Sequence, residues 1–299
     1  MGPTIAILAS TFFWGTLWIP LRQLNEAGLG GSWATVLGFV IPLAAFSPVG
    51  AIRRRSIVAG GRPLVRAGFL LAACVALYAE ALLLGNVARV ILLFYLTPVW
   101  STLLARAFLG EPITKSRVVT LGLGLVGMFV VLGVGPGLPL PRSSAEWMGL
   151  CSGFLWACSM VALRRVPQGV SDFDKVFVQF LFLGPLFALL TAVSGGGAWA
   201  IPTTDVLLRS IKWLLVLGLV WMPSVLWLTM FGGSRLDPGR VAVLLMFEVV
   251  IGVGSAAALT HEPFGVHELV GAVLIVGACG SEYFTNAPRA GDSTGARET

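Results

Sequence analysis

The chain has 299 residues, of which 57% are hydrophobic and 11% are charged, and its mean hydropathy is +0.89. Soluble domains carry about 25% charged residues, so this composition excludes a soluble globular protein. The net charge of +6 does not indicate nucleic-acid binding, because the basic residues lie in short loops between apolar runs, as in multi-pass membrane proteins.

Apolar runs follow one another along the chain, each close to the roughly 20 residues that a helix needs to cross a bilayer. They predict ten transmembrane helices, at residues 3–24, 31–52, 64–85, 87–108, 113–134, 146–165, 174–194, 209–232, 240–260 and 265–285. The last segment, residues 286–299, is polar and is predicted to be disordered.

The second half of the chain repeats the first. The stretch Arg89–Pro112 recurs 151 positions later with eight identities, and Trp14 recurs as Trp156 at an offset of 142. Each half therefore contains five predicted helices, and because five is odd, the second half enters the membrane from the opposite side. The predicted fold is an all-α membrane protein with ten transmembrane helices, in two inverted five-helix repeats around a central cavity. The predicted boundaries are 1–134 for the first repeat, 135–145 for the connecting loop, 146–285 for the second repeat and 286–299 for the tail.

The basic residues predict the orientation of the chain. Of the 20 Lys and Arg residues, all but five lie on the side that holds both termini. The opposite side holds only Arg22, Arg89, Arg142, Arg209 and Lys212. Since positive residues concentrate on the cytoplasmic side, both termini are predicted to be cytoplasmic.

Motifs repeated in the two halves carry a family resemblance. Trp14-Gly15 matches Trp156-Ala157, and the segment 109–112 matches 260–263, both ending in Glu-Pro. Glycines in the fifth and tenth helices add to it: Gly122, Gly124, Gly127, Gly271 and Gly277. The chain resembles the drug/metabolite transporter superfamily and, within it, the EamA-type exporters, most of all those of aromatic amino acids. This resemblance implies export of amino acids, including aromatic ones, and related small metabolites across the bacterial inner membrane by alternating access.

Two carboxylates lie well inside apolar helices, at Glu80 and Glu248. A charge at mid-bilayer costs about 2.5–3.5 kcal/mol on insertion scales, so such residues usually face a cavity. Both lie on helix faces rich in small residues, which indicates contact with other helices rather than with lipid. We therefore predict that Glu248 and Glu80 bind substrate, the alternative for each being a hydrogen-bonded structural carboxyl.

Aromatic and proline residues complete the predicted site. An aromatic-lined cavity with few polar groups suits an amphipathic solute, whereas ordinary packing or lipid contact is the alternative for each ring. The aromatic residues predicted to bind substrate are Tyr78, Tyr95, Trp14, Trp18, Trp100, Trp156, Trp221 and Trp227. Prolines within predicted helices kink them, and those predicted to act in gating are Pro42, Pro98, Pro185 and Pro223.

No motif indicates an enzyme, a metal site or a cofactor, since neither a phosphate-binding Gly-Lys loop nor a His-Glu-x-x-His sequence is present. The four cysteines lie in apolar runs and are predicted to be small buried residues without disulfides. The predicted partners are an amino acid or small-metabolite substrate, membrane lipid and protons as the candidate coupling ion, with no nucleic acid. Three alternatives stay open: export of other metabolites, export of lipophilic drug cations, or a non-transporting membrane binding protein or enzyme.

Overall fold

The computed structural model describes residues 2–133, 140–194, 201–260 and 265–285, and no strand occurs among them. The helices are α1 (Pro3–Gly15), α2 (Trp18–Glu26), α3 (Gly31–Ile52), α4 (Arg54–Ala59), α5 (Gly61–Leu84), α6 (Val87–Phe94), α7 (Thr97–Leu109), α8 (Lys115–Val131), α9 (Ser144–Leu163), α10 (Asp172–Ser194), α11 (Thr204–Leu215), α12 (Met222–Gly233), α13 (Pro238–Leu245), α14 (Phe247–Thr260) and α15 (Val266–Thr285). A π-helical segment, Val216–Trp221, joins α11 to α12. The predicted disordered tail lies outside the described residues.

Within the described residues, eight helical stretches are long and apolar enough to cross a membrane. They are Pro3–Glu26, Gly31–Ile52, Gly61–Leu84, Arg89–Leu109, Ser144–Leu163, Asp172–Leu190, Thr204–Gly233 and Pro238–Thr260. The predicted fifth and tenth helices exist as α8 and α15 but are not among these eight. They pack against each other so closely that a Cβ atom on Gly127 would lie 2.8 Å from the Gly271 carbonyl oxygen.

Side-chain caps begin several of the helices. Asn86, Thr114, Ser143, Thr203 and Asp237 each accept a hydrogen bond from the backbone N–H three residues further on. A cap of this kind satisfies one of the free donors at a helix start. Two of these caps, Asn86 and Asp237, are 151 positions apart, so the duplication extends to the way in which α6 and α13 begin.

The predicted fourth and ninth helices are not continuous, which corrects the sequence-based expectation. The fourth breaks between Phe94 and Thr97, and the ninth breaks at Met246, 151 positions after Tyr95. The Thr97 hydroxyl donates to the Phe94 carbonyl at the first break. At the second, the Met246 N–H donates to Val243 O at 3.1 Å, in a turn tighter than an α-helix. Equivalent breaks therefore occur at matching positions of the two repeats.

The first predicted helix is also interrupted. It divides into α1 and α2 at Thr16 and Leu17, where the Thr16 hydroxyl donates to the Phe12 carbonyl. Its counterpart in the second half, α9, is continuous. The two repeats are therefore alike in the fourth and ninth helices and differ in the first and sixth.

The four prolines predicted to act in gating occupy two kinds of position. Pro42 and Pro185 lie inside α3 and α10, as predicted for kinks. Pro223 also lies inside a helical stretch, since it follows the π-helical segment within Thr204–Gly233. Pro98 instead lies in the first turn of α7, where a missing N–H costs no helical hydrogen bond. Pro98 therefore starts a helix rather than interrupting one, and a role of any of the four in gating remains a prediction.

Contacts between the halves form the core. α5 packs against α9 and α10, α7 packs against α9, and α1 packs against α12 and α14. These contacts are equivalent in the two halves. α5 and α7 of the first half contact α9, the first helix of the second half. α12 and α14 of the second half contact α1, the first helix of the first half. The predicted fold class, an all-α membrane protein of two repeats around a central cavity, is confirmed.

Candidate functional site

A cavity of about 40 Å³ lies between the two halves, where the broken helices meet. Its wall consists of Trp14, Cys74, Val75, Tyr78, Phe94, Tyr95, Thr97, Trp156, Ala242, Leu245 and Glu248. Residues of both halves contribute, and five of the site residues predicted from the sequence are among them: Trp14, Tyr78, Tyr95, Trp156 and Glu248.

Much of the wall consists of pairs that the duplication relates. Thr97 and Glu248 are 151 positions apart, as are Phe94 and Leu245, while Trp14 and Trp156 are related by the offset of the first helices. The cavity therefore lies where the two repeats face each other, which is where substrate sites of repeat-built transporters occur. The pair Thr97 and Glu248 differs in charge, so only the second repeat contributes a carboxylate.

Glu248 is the second residue of α14, so its carboxyl lies close to the positive end of a helix dipole. A close contact with the first helix holds this part of the chain: a Cβ atom on Gly15 would lie only 2.6 Å from the Glu248 backbone oxygen. No Lys, Arg or His is among the described residues that line the cavity. Glu248 thus provides the carboxyl group of a wall that is otherwise mostly aromatic and apolar.

Aromatic rings in mutual contact form one side of the cavity. The ring centroids of Tyr78 and Phe94 are 4.5 Å apart, and those of Phe94 and Tyr95 are 5.4 Å apart. Phe94 also meets Trp156 edge to face at 6.4 Å. Offset and edge-to-face contacts of this kind fix the orientation of the rings.

Three hydrogen-bond donors on the cavity wall are buried and have no hydrogen-bond partner: the indole N–H groups of Trp14 and Trp156 and the hydroxyl of Tyr95. The Tyr95 hydroxyl lies close enough to the Glu248 carboxyl for an electrostatic interaction, but no hydrogen bond of normal length joins them. Because buried donors in folded proteins are nearly always paired, the two indole N–H groups are available to a ligand or to water, whereas the Tyr95 hydroxyl already interacts with the Glu248 carboxyl.

The other predicted site residues lie away from the cavity wall. Glu80 is buried in α5 at 1% exposure. The indole N–H groups of Trp18 and Trp221 donate to Ser255 Oγ and Phe13 O, each at 3.0 Å, and tie the first helix to its neighbours. Trp100 packs edge to face on Phe154 with its N–H unpaired, and Trp227 is 42% exposed and stacked on Phe231. The structure does not bring these five residues into the cavity.

Sequence reasoning missed six residues of the wall: Cys74, Val75, Phe94, Thr97, Ala242 and Leu245. For Thr97 a signal was present, because it is the repeat counterpart of Glu248. The apolar residues gave none, since apolar side chains fill every helix. One expectation about the cysteines is wrong: Cys151 is exposed on α9 rather than buried. Within the described parts of the chain, no group of three or more His, Cys, Asp or Glu residues is arranged to hold a metal ion.

A multi-pass helical membrane protein built from two repeats, with a cavity between them, has the architecture of a secondary transporter. The sequence matches the EamA-like transporter family over residues 2–133 and 143–280, so the chain belongs to that family. The family indicates a membrane transporter of small molecules and confirms the predicted resemblance to the EamA-type transporters.

One similar solved structure is described only as "Crystal structure of protein". It superposes on this chain with a TM-score of 0.72 at 22% identity, covering 94% of this chain and 96% of the other. At that identity the likeness shows the fold alone. No curated protein matches the sequence of this chain.

Proposed function

We propose that this protein exports amino acids, aromatic ones included, and related small metabolites across the bacterial inner membrane by alternating access. The observation that carries the proposal is the single carboxylate, Glu248, on the wall of a buried aromatic cavity between the two repeats. A carboxylate provides a partner for a substrate ammonium group, and aromatic faces attract both cations and apolar rings. An aromatic amino acid carries all of these groups.

The small volume of the cavity indicates that the structure represents a closed conformation, without room for substrate. Sites for small organic ligands have volumes of roughly 300–1,000 Å³, whereas this cavity of about 40 Å³ has room only for water. Substrate binding therefore requires the helices around the cavity to separate. The breaks between α6 and α7 and between α13 and α14 are where those helices would bend, because hinge motions concentrate in non-helical residues at the ends of elements.

A second candidate function is export of lipophilic cations. The observation that favours it is the absence of any Lys, Arg or His from the described cavity wall, which leaves the carboxylate of an amino acid without a cationic partner. An organic cation needs only Glu248 and the aromatic rings Tyr78, Phe94 and Trp156. The two functions therefore differ in whether the substrate carries a negative group.

Transport by the purified protein in liposomes tests the proposal. Radiolabelled phenylalanine, leucine, a nucleotide sugar and tetraphenylphosphonium are compared in counterflow, each with and without a pH gradient. We expect saturable flux of phenylalanine, and a dependence on the pH gradient would identify protons as the coupling ion. Flux of tetraphenylphosphonium alone would favour the second candidate. Binding without flux of any compound would indicate a non-transporting binding protein and overturn the proposal.

A further inference from the structure

A groove separate from the central cavity lies on the outside of the helix bundle, where α5 and α7 both pack against α9. Its volume is about 240 Å³. We propose that this groove binds an anionic phospholipid of the surrounding membrane, with Arg66 and Arg165 on the headgroup phosphate and an acyl chain along the apolar walls. Such binding does not depend on which solute the protein transports.

The walls of the groove are largely apolar and belong to membrane-spanning helices. Leu104 and Phe108 of α7 and Cys158 and Val161 of α9 contribute to them. The Phe108 side chain is 57% exposed, so its ring is open to the surroundings of the bundle. Within a bilayer those surroundings are acyl chains, which are as apolar as these side chains. The groove therefore fits a lipid tail.

Two arginines stand where these walls end. Arg66 lies in the second turn of α5, and Arg165 lies just beyond the end of α9. The Arg165 Nη2 donates to the Phe108 carbonyl at 3.0 Å, and its guanidinium lies 5.7 Å from the centre of the Phe108 ring, which holds it at the groove.

The charge of these two arginines is not balanced within the groove. The described lining contains no Asp or Glu, and neither Arg66 nor Arg165 forms an ion pair with another described residue. Arginine binds phosphate through paired N–H donors, and basic pockets between membrane helices bind anionic headgroups. The open end of the groove therefore fits a phosphate group.

The other repeat has an equivalent groove, of about 380 Å³, between α2 and the end of α14. The duplication relates the lining residues of the two grooves at offsets of 142 and 151. The related pairs are Ile19 and Val161, Gln23 and Arg165, and Phe108 and Leu259. The two grooves can therefore be compared as copies of one structural feature.

The two copies differ in charge. In the second groove, Arg22 pairs with Glu26 at 3.2 Å, and Gln23 donates to the same carboxylate at 2.9 Å, so its charges cancel. The groove of Arg66 and Arg165 instead carries two positive charges. The basic residues predict that it lies on the cytoplasmic side, where the leaflet has a negative surface potential. The difference between the copies thus favours an anionic lipid in one of them.

Native mass spectrometry of the delipidated full chain tests the binding. The protein is titrated with phosphatidylglycerol or with phosphatidylcholine of the same acyl chains. We expect phosphatidylglycerol to bind the wild type more tightly, because the choline group has no acidic partner in the described groove. Arg66→Gln combined with Arg165→Gln should weaken phosphatidylglycerol binding about thirtyfold, since each arginine near an anionic headgroup contributes about fivefold.

Arg54→Gln combined with Arg55→Gln is the matched control. It removes two charges from the same predicted side of the membrane, and both residues are exposed and outside the groove. It should leave lipid binding unchanged. Equal binding of the two lipids to the wild type, or equal weakening in the two double variants, overturns the proposal. Displacement of phosphatidylglycerol by millimolar inorganic phosphate would assign the arginines to a soluble anion and overturn it as well.

Cys158 tests the position of the lipid without any change to the arginines, because it lines the groove and is half-buried. With the other three cysteines replaced by alanine, its modification by N-ethylmaleimide is timed in detergent with either lipid present. We expect phosphatidylglycerol to slow the modification severalfold relative to phosphatidylcholine, and the difference to vanish when Arg66→Gln and Arg165→Gln are added. Equal rates with both lipids in the protein that keeps both arginines exclude this groove as the binding site. Neither result affects the proposed transport, which flux measures separately.

Discussion

Glu248 and Thr97 occupy equivalent places in the two repeats, yet their side chains do different things. The Thr97 hydroxyl donates to the Phe94 carbonyl and closes the break of its own helix. Glu248 lines the cavity at the start of α14. Because the duplicated fold tolerates threonine at this position, the fold itself does not require a carboxylate there. The difference between the two repeats points to the substrate rather than to stability.

Replacing Glu248 with Gln keeps the shape of the side chain and removes its charge. We expect transport of phenylalanine to fall by about ten- to a hundredfold, since a hydrogen bond to a charged group contributes about 1.5–3 kcal/mol. Expression and the thermal unfolding midpoint in detergent should stay close to wild type. The measurement is counterflow in proteoliposomes with a matched protein content.

Glu26→Gln is the control for that substitution. Glu26 forms an ion pair with Arg22 at the protein surface, and both side chains are more than half exposed. Its replacement should leave transport unchanged. If Glu248→Gln transports at the wild-type rate with the same pH dependence, Glu248 is a structural residue, and Glu80 becomes the next carboxylate to test.

Sequence reasoning could select candidate residues for the cavity but could not separate those that face it from those that face lipid. In a soluble protein the apolar side of a helix marks the core, whereas in a membrane both the core and the lipid side are apolar. Trp156 and Trp227 illustrate the limit, since both lie within apolar helices and only Trp156 reaches the cavity. The duplication carried better information, because it related Trp14 to Trp156 and Thr97 to Glu248.

At the scale of elements, the breaks in the fourth and ninth helices were the feature that hydropathy could not predict. The fourth helix gives one hint, because Pro98 follows its break and lacks an N–H. The ninth helix has Val249 at the equivalent position and breaks all the same. Apolar runs report that a segment lies in the membrane, but they do not report the path of the backbone within it. A break expected in the fourth helix could have been predicted for the ninth helix only from the equivalence of the two repeats.

Close packing of Gly15 against the broken ninth helix gives a prediction at this scale. A Cβ atom on Gly15 would lie 2.6 Å from the Glu248 backbone oxygen and 2.9 Å from Ile251 Cβ. Gly15→Ala must therefore push α14 away from the first helix, and overpacking of this kind costs about 1–3 kcal/mol. We expect a lower unfolding midpoint in detergent and severalfold slower transport.

Gly254→Ala is the matched control for Gly15→Ala. Gly254 lies in α14 itself, and a Cβ atom there would meet nothing within 4 Å beyond its chain neighbours and the backbone of its own helix. The substitution should leave both stability and transport close to wild type. Equal losses of stability and transport in the two variants would show that α14 responds to any added methyl group. In that case the specific contact with Gly15 does not position Glu248.

For the whole molecule, the orientation of the chain follows from its charges. The basic residues predict that Arg53–Arg66 lies on the cytoplasmic side and that Ile201, before α11, lies on the opposite side. Val58→Cys and Ile201→Cys place single thiols at positions that are 77% and 83% exposed. In a background without native cysteines, we expect an impermeant maleimide to label Ile201→Cys in intact spheroplasts and Val58→Cys only after lysis. The opposite pattern would reverse the predicted orientation.

Contacts between the two halves stabilise both ends of the molecule. Residues at equivalent positions of the two repeats make these contacts, but the contacts differ in kind. Arg89, at the start of α6, donates to both oxygens of Glu146, at 2.7 and 3.0 Å. Arg240, its counterpart in α13, donates at 3.1 Å to the hydroxyl of Thr4, which stands 142 positions before Glu146. The end that contains Arg89 therefore has an ion pair with two contacts between the halves. At the equivalent position, the end that contains Arg240 has a single hydrogen bond.

Other ion pairs hold the end that contains Arg240. Arg117 of the first half contacts Asp237 at 2.5 Å and Glu282 at 3.0 Å, and Arg53 contacts Asp174 at 2.7 Å. These contacts also join the two halves, and they do not involve Glu146. Replacing Glu146 should accordingly weaken the Arg89 end and leave the opposite end closed.

Labelling of Cys74 can measure whether the Arg89 end opens, because Cys74 lines the cavity and is only 1% exposed. With the other three cysteines replaced by alanine, we expect Glu146→Gln to raise labelling of Cys74 by an impermeant maleimide added on the Arg89 side. A rise of about tenfold corresponds to the loss of about 1.4 kcal/mol from the closed state. Glu26→Gln, which removes a surface ion pair predicted to lie on the same side, should leave the labelling unchanged. If Glu146→Gln also leaves it unchanged, the ion pair with Arg89 does not keep that end closed.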